Sequence, residues 1–239
     1  MIKNCCGDAG DIAGNLRTIQ EKVRQAAQSC GRDEKSITIM AVTKTVAPER
    51  VNEALALGIS LLGENRVQEC CEKYQSYRCG TQQIHFIGHL QTNKIRAIIN
   101  KVSMIESVDT IHLAEALNEE CVRQDMQMAA LLQVNIGMEP TKSGFPAEEL
   151  FQAYDVIEKQ FPRLQIRGLM TVPPDSPDDQ YFAQMQKLYQ KLQQAHPDRP
   201  IDTLSMGMSG DFERAIRFGS TQIRLGRALF GQRPQLNKN

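Results

Sequence analysis

Residues 37–57, ITIMAVTKTVAPERVNEALAL, indicate the fold most directly. Its first seven residues are apolar or β-branched without polar alternation, which is typical of a strand buried on both faces. Pro48 then opens a segment in which Val51, Ala54 and Leu55 recur at helical spacing. A buried strand followed at once by an amphipathic helix is one βα unit, and this unit predicts a parallel sheet.

The same unit recurs to the end of the chain. Eight short apolar runs alternate with amphipathic segments within 239 residues, which favours a single (β/α)8 TIM barrel of the α/β class. An open doubly wound sheet is the competitor, but the turn after the first strand holds no glycine and no GxGxxG occurs. The predicted strands are 37–43, 60–63, 84–88, 103–108, 128–136, 164–170, 203–206 and 222–225, and the helices between the later strands are 67–77, 92–100, 110–123, 147–160, 180–194 and 211–218, with a last one from 228.

One helix stands outside this alternation, at the N-terminal side. Asp11 is placed to cap it and Gly31 to end it. We expect residues 1–36 to form a segment and helix packed against a barrel of residues 37–231, all within one domain of residues 1–239. The apolar residues at helical spacing are Ile12, Leu16, Ile19, Val23 and Ala27.

The composition excludes several classes of protein. Lys plus Arg number 28 and Asp plus Glu number 28, so no net charge draws the chain toward nucleic acid or a membrane surface. With 41% hydrophobic and 23% charged residues the chain is typical of a globular protein. No Trp is present to build a stacking platform. We expect neither a nucleic-acid nor a membrane partner.

The cysteines predict free thiols rather than disulfides or a metal site. Seven is an odd number, and no CxxC pair occurs. The first residues lack the apolar run of a signal peptide, so we expect a reducing, cytoplasmic location. The cysteines are Cys5, Cys6, Cys30, Cys70, Cys71, Cys79 and Cys121.

In such barrels the active or binding site lies at the carboxyl ends of the strands. Lys44 directly follows the first strand. There its amine would point into the mouth of the barrel, where desolvation favours the neutral amine that a Schiff base needs. The alternative is a lysine that extends to the rim and keeps its charge in water.

A candidate anion site follows the seventh and eighth strands. Ser209 and Gly210 open the next helix, and Gly226 allows close backbone approach after the eighth strand. Ordinary capping of that helix by Ser209 is the alternative. Arg224 lies within the eighth strand and faces either the barrel interior, where it needs a partner, or the outer helices.

Two further strand ends are polar. Asn65 follows the second strand and His89 the third, and either would line a pocket at the mouth. For His89 a structural hydrogen bond is an equal alternative to an acid or base role.

A lysine after the first strand together with a phosphate site after the seventh and eighth suits a small phosphorylated aldehyde, and pyridoxal 5′-phosphate (PLP) is such a ligand. The motifs AVTKT, GENRVQE, HFIGHLQTNK, PTKSG, RGLMTVP, LSMGMSGD and IRLGRALFG occur in this order from about residue 37 to residue 231. In these motifs the chain resembles the pyridoxal phosphate homeostasis proteins, the YggS/PROSC family. The resemblance implies a PLP-binding barrel similar to the N-terminal domain of alanine racemase.

The resemblance also implies roles for individual residues. Lys44 matches the lysine that forms the internal aldimine, Ser209, Gly210 and Gly226 match the phosphate site, and Arg224 matches the arginine that faces the pyridine nitrogen. Asn65 and His89 match residues near the cofactor. The chain departs from many relatives at Arg227, beside the phosphate site, and at Val46 and Ala47, where relatives carry Lys-Pro.

The function implied is a carrier rather than an enzyme: a monomer that holds PLP, serves vitamin B6 homeostasis and amino-acid balance, and has PLP-dependent apoenzymes as candidate recipients. The alternative is a PLP-dependent amino-acid racemase that uses Lys44 together with His89 or another group as the second acid/base. All five tyrosines fall in predicted helices, so none is an obvious partner for Lys44. A barrel for another phosphorylated metabolite is a third possibility.

For Lys142, in the loop after the fifth strand, we expect a solvated side chain rather than a secondary PLP site.

Overall fold

Eight parallel strands, hydrogen-bonded in chain order with the first beside the last, close into a barrel. The computed structural model describes residues 10–231. The strands are β1 Thr38–Val42, β2 Leu61–Glu64, β3 Ile84–Phe86, β4 Met104–Val108, β5 Met128–Gln133, β6 Leu164–Met170, β7 Thr203–Ser205 and β8 Gln222–Leu225. The α-helices are α1 Ile12–Ser29, α2 Pro48–Ala56, α3 Val67–Lys73, α4 Ile95–Ile98, α5 Ile111–Arg123, α6 Leu150–Gln160, α7 Gln180–Ala195, α8 Phe212–Arg217 and α9 Arg227–Phe230. The predicted TIM barrel with an additional N-terminal helix is confirmed.

The barrel closes because β1 pairs on both edges. Met40 aligns with Leu61 of β2 on one side and with Arg224 of β8 on the other. Side chains alternate along a strand, so one set fills the barrel and the other packs under the helices. Three strands show this interior set, since Met104 of β4, Leu131 of β5 and Met170 of β6 form a small buried cluster.

Helix α1 packs against α8 and α9 on the outside of the barrel. The Asp11 side chain accepts the Gly14 N–H at 2.7 Å, and Gly31 follows the helix with φ +70°. The predicted apolar face is buried, with Ile12 and Ala27 fully inaccessible. Asn15 donates to the Leu229 carbonyl at 3.0 Å, which ties α1 to α9.

Several predicted bounds are wrong by a few residues. Glu64 belongs to β2 rather than to the loop after it, and β5 ends at Gln133 instead of residue 136. Residues 92–94 form a 3₁₀ turn before α4, and α3 gives way to a 3₁₀ turn at Tyr74. Element ends fray into such turns because the last backbone groups lack partners further along the helix.

Two observations concern the described residues as a whole. None of the helices within 10–231 is long and apolar enough to cross a membrane. The cysteines that the structure describes, Cys30, Cys70, Cys71, Cys79 and Cys121, are free thiols. Cys5 and Cys6, and the ends of the predicted 1–239 domain, lie outside the described residues.

Candidate functional site

A cavity of about 580 Å³ opens at the carboxyl ends of the strands. It is lined by β1 and β8, by residues directly after β2 and β3, by the loops after β6 and β7, and by the first turn of α7. Apart from His89, the predicted site residues meet here. They are Lys44, Asn65, Ser209, Gly210, Arg224 and Gly226.

Lys44 lies in the turn that directly follows β1. Val42, the last residue of β1, lines the same cavity. Lys44 itself is partly buried. Its position matches the prediction of a lysine at the barrel mouth.

The loop after β7 is shaped by one glycine and one aspartate. Gly207 has φ +97°, and a Cβ there would come within 2.7 Å of the Ala215 side chain. The Asp211 carboxylate accepts the Met208 N–H at 2.5 Å and holds the turn closed. Helix α8 therefore begins after Asp211, and the alternative in which Ser209 caps this helix is wrong, because Ser209 lies inside the turn that precedes it.

Ser209 instead joins the two loops of the candidate anion site. Its hydroxyl oxygen accepts the Ala228 N–H at 3.1 Å, from the start of α9. Among residues 10–231 no acceptor receives the backbone N–H of Ser209, Gly210 or Gly226. Unpaired N–H groups beside a hydroxyl are suited to bind the oxygens of an anion.

Two of these glycines are not required by packing or by backbone conformation. A Cβ on Gly210 would meet nothing within 4 Å, and one on Gly226 would make only ordinary contact with Val42, at 3.6 Å. Neither has the positive φ that Gly207 needs. The missing side chains therefore leave room in the cavity beside the unpaired N–H groups, as a bound anion requires.

Arg224 faces the barrel interior and forms the floor of the cavity. It is 4% exposed, and its Nη1 and Nη2 donate to Ser205 Oγ at 2.8 Å and to the Thr171 carbonyl at 2.7 Å. Burial lowers the pKa of the guanidinium, while the negative charge of Glu106 opposes that shift. The partner that a buried cation needs is thus on the opposite side of the barrel.

Glu106 on β4 is that partner, and it is fully buried. Its Oε2 accepts from Ser205 Oγ at 2.7 Å, and its Oε1 accepts from Gln222 Nε2 at 2.7 Å and lies 2.6 Å from His85 Nδ1. Burial alone would raise the pKa of Glu106, but His85, Arg224 and Ser205 outweigh it and hold the pKa below its ordinary value.

This network was not predicted from the sequence, because most of its members lie inside strands, whereas the predicted site residues lie mainly at strand ends. A signal was present, since Gln222 and Arg224 are two residues apart in one strand and therefore share a face. Glu106 and Ser205 gave a second signal for the network, since each is a polar residue within an otherwise largely apolar strand.

Asn65 lines the cavity beside β3 through a close backbone contact. A Cβ on Gly88 would lie 1.9 Å from the Asn65 carbonyl oxygen, so only glycine allows the two strand ends to approach. This contact brings Ile87, which also lines the cavity, close to Asn65.

His89 does not join the cavity. It lines a second hollow of about 500 Å³ together with Asp109 and Lys142, its Nδ1 lies 3.2 Å from the Asp109 carboxylate, and its side chain is 63% exposed. The resemblance placed His89 near the cofactor, and the structure separates it from the cavity of Lys44. The chain turns at Gly88, so strand alternation no longer carries residue 89 inward.

Two other expectations need correction. Lys142 is not simply solvated: it pairs with Glu139 and donates to the carbonyl of Pro173 at 3.3 Å, in the loop after β6. Tyr181, on α7, lines the main cavity although it lies far from any strand end in sequence. The loop between β6 and α7 brings this tyrosine over the barrel mouth.

The arrangement joins three chemical functions in one cavity. Lys44 supplies a primary amine, Arg224 a buried cation, and the Ser209–Gly210 loop with Gly226 a set of N–H donors. Such a cavity suits a small anion that also carries a group reactive toward amines.

Known proteins similar in sequence to this chain include the family that the motifs resemble. Residues 14–234 match the family model of the alanine racemase N-terminal domain. The pyridoxal phosphate homeostasis proteins of Pasteurella multocida and Escherichia coli K12 are 38% and 37% identical, over 93% and 95% of this chain and 97% and 99% of those proteins.

Solved structures are similar over nearly the whole barrel. PipY of Synechococcus elongatus superposes with a TM-score of 0.82 without PLP and 0.79 with PLP bound, at 32% and 31% identity, covering 92% of this chain and 100% of PipY in each case. A protein of unknown function from Bifidobacterium adolescentis gives a TM-score of 0.87 at 31% identity, over 93% of this chain and 95% of that one. The barrel, the match to the racemase domain and the identity to these relatives lead to one conclusion: this chain belongs to the pyridoxal phosphate homeostasis protein family.

Proposed function

We propose that this chain binds PLP, holds it covalently as a lysine aldimine on Lys44, and takes part in vitamin B6 homeostasis and amino-acid balance as a carrier rather than an enzyme. The observation that carries the proposal is the single cavity in which Lys44, Arg224 and the Ser209–Gly210 loop meet. The PLP bound in PipY and the names of the relatives support it.

PLP supplies an aldehyde, which condenses with a primary amine and releases water. Lys44 provides that amine at the cavity wall. The N–H groups of Ser209, Gly210 and Gly226 and the Ser209 hydroxyl provide the donors for a phosphate. Arg224 provides a fixed cation at the floor, held by Ser205 and Thr171.

Arg224 favours the role of a carrier. Carbanion chemistry with PLP works best when a carboxylate keeps the pyridine nitrogen protonated. A guanidinium opposite that nitrogen disfavours the protonated form, since both groups would be positive. We therefore expect the chain to hold and release cofactor, with PLP-dependent apoenzymes as recipients.

The deciding experiment is absorbance spectroscopy of the purified protein with added PLP, wild type beside Lys44→Ala. We expect a band at about 420 nm in the wild type only, as is general for a protonated PLP imine. Borohydride reduction and peptide mapping should then place the adduct on Lys44. A wild-type spectrum identical to that of free PLP would overturn the proposal and leave the cavity to another phosphorylated metabolite.

The phosphate site has its own test, in Gly226→Ala. A Cβ there makes only ordinary contact with Val42, so the thermal stability should not change, while the new methyl group intrudes on the anion site. We expect PLP to bind at least about 10-fold more weakly, roughly 1.4 kcal/mol. Pyridoxal without phosphate is the matched control, and an equal loss for both ligands would contradict a phosphate role for Gly226.

A racemase remains the second candidate because Tyr181 lines the cavity. Racemisation needs an acid/base on each face of the substrate, and Tyr181 is a side chain that offers the second one. The test is exchange of L- and D-alanine by PLP-loaded wild type and Tyr181→Phe. Turnover that disappears in the variant would favour the enzyme, and no turnover in either supports the carrier.

A further inference from the structure

The turn that carries Lys44 is tied on both sides to one ion pair of α3. The Thr45 N–H donates to Glu69 Oε1 at 2.5 Å, and Lys73 Nζ donates to the Thr43 carbonyl at 3.2 Å. Glu69 and Lys73 pair with each other one helical turn apart. Thr43 and Thr45, the residues on either side of Lys44, are thus both bonded to the Glu69–Lys73 ion pair.

The backbone of this turn needs such a restraint. The Val46 N–H donates to the Thr43 carbonyl at 3.0 Å, which closes a β-turn with Lys44 and Thr45 at its centre. Thr45 has φ +62°, a left-handed conformation that costs a β-branched residue on the order of 1–2 kcal/mol. Its side chain is exposed, so its own packing does not offset that cost.

The ion pair is suited to provide the restraint. Both side chains are only 15% exposed, which limits screening by water and salt. Burial raises the pKa of Glu69, but the bonds from Lys73 and the Thr45 N–H outweigh it, so the pKa lies below its ordinary value. Glu69 is therefore ionised at neutral pH and remains a strong acceptor.

We propose that Glu69 and Lys73 are positioning residues for Lys44: by holding Thr45 and Thr43 they fix the turn that aims the Lys44 amine into the cavity. This inference rests on the proposed function for its consequence, the rate of imine formation. In that step the amine nitrogen bonds to the aldehyde carbon, the carbonyl oxygen leaves as water, and nothing is oxidised or reduced.

The test compares Glu69→Ala with Glu72→Ala, an exposed glutamate of the same helix bonded only to Gln68 among the described residues. Imine formation is followed by stopped-flow absorbance after mixing with PLP. Binding of pyridoxamine 5′-phosphate, which has no aldehyde, reports the cavity alone. We expect Glu69→Ala to slow imine formation at least about 5-fold with pyridoxamine phosphate affinity within about 2-fold of wild type. Glu72→Ala should change neither.

Two further variants separate positioning from a general loss of structure. Glu69→Gln keeps an acceptor for the Thr45 N–H and should retain most of the rate. Thr45→Asn places a residue that tolerates positive φ in the turn, and in the Glu69→Ala background it should recover much of the lost rate. If α3 were merely destabilised, neither substitution would restore the rate.

Amide hydrogen exchange gives a readout that needs no PLP. Exchange at Thr45 and Val46 should be faster in Glu69→Ala and slower again with Thr45→Asn. Equal rates and equal exchange in Glu69→Ala and Glu72→Ala would overturn the positioning role. Faster exchange in Glu69→Ala together with no PLP adduct in the wild type would instead overturn the proposed function and leave the turn restraint standing.

Discussion

Two carboxylates of the barrel are completely inaccessible to solvent, Glu106 on β4 and Glu64 on β2. Glu106 points into the barrel, where both of its oxygens have partners and Arg224 provides an opposite charge. Glu64 points outward, where Thr43 and Tyr77 both donate to Oε1, at 2.7 and 2.5 Å. Its other oxygen, Oε2, has no hydrogen-bond partner among residues 10–231.

The two groups are equally buried, but the net shifts of their pKa values are opposite. Hydrogen bonds and cations hold the pKa of Glu106 below its ordinary value, whereas burial raises the pKa of Glu64 more than Tyr77, Thr43 and Lys73 lower it. Neighbours rather than depth decide the charge of a buried acid. Folding therefore favours the ionised form of Glu106 and the neutral form of Glu64.

The largest effect should come from Glu106→Gln. The variant keeps the shape of the side chain but removes the buried negative charge that contacts His85 and that acts on Arg224 across Ser205. Removing one partner from a set of buried charges typically costs about 3–5 kcal/mol. Urea denaturation at pH 7 measures the loss in the free energy of unfolding. A loss below about 1 kcal/mol would show that the charge of Glu106 contributes little to the stability of the barrel.

Tyr77→Phe should have an intermediate effect, because it removes one of the two donors to Glu64 and leaves the packing of the ring in place. We expect a loss of about 1–2 kcal/mol. The measurement is again urea denaturation, and Tyr74→Phe, whose hydroxyl bonds Thr81 in a partly exposed site, is the matched control. An equal effect of both variants would argue against a special role of the Glu64 contact.

Glu64→Gln should change the stability by less than about 1 kcal/mol. The neutral amide replaces an acid that burial already favours in its neutral form, and one polar atom lacks a partner in either case. A loss as large as that of Glu106→Gln would contradict the contrast between the two sites.

The pH dependence should separate the two acids by sign. The pKa of Glu106 is lowered on folding, so its contribution is present above the ordinary value of 4.5 and is lost as the pH falls through the folded pKa. The pKa of Glu64 is raised, so its contribution is present below 4.5 and is lost as the pH rises. From pH 7 toward pH 4, the deficit of Glu106→Gln should shrink while Glu64→Gln becomes less stable relative to wild type. Denaturation curves at several pH values check both slopes, and parallel slopes would be the contrary result.

The position of the cavity was predictable because several of its functional residues come directly after strands in the sequence. Lys44 lies in the turn directly after β1 and Gly226 directly follows β8, so their place at the carboxyl ends of the strands can be read from the sequence. His89 also follows a strand, but the chain bends at Gly88 and the His89 side chain lines a second hollow instead. Tyr181 lies on a helix reached through a long loop, and no local period relates it to the cavity.

The sequence was sufficient to predict the alternation of buried strands and amphipathic helices, the barrel, and the strand ends where Lys44 and the Ser209–Gly210 loop lie. These follow from periodic burial, which is a local property of the chain. The folded chain was needed to show that Glu106 faces Arg224 through Ser205, and that Glu69 of α3 bonds the turn of Lys44. Such contacts join residues far apart in sequence, and their distances depend on how the barrel closes.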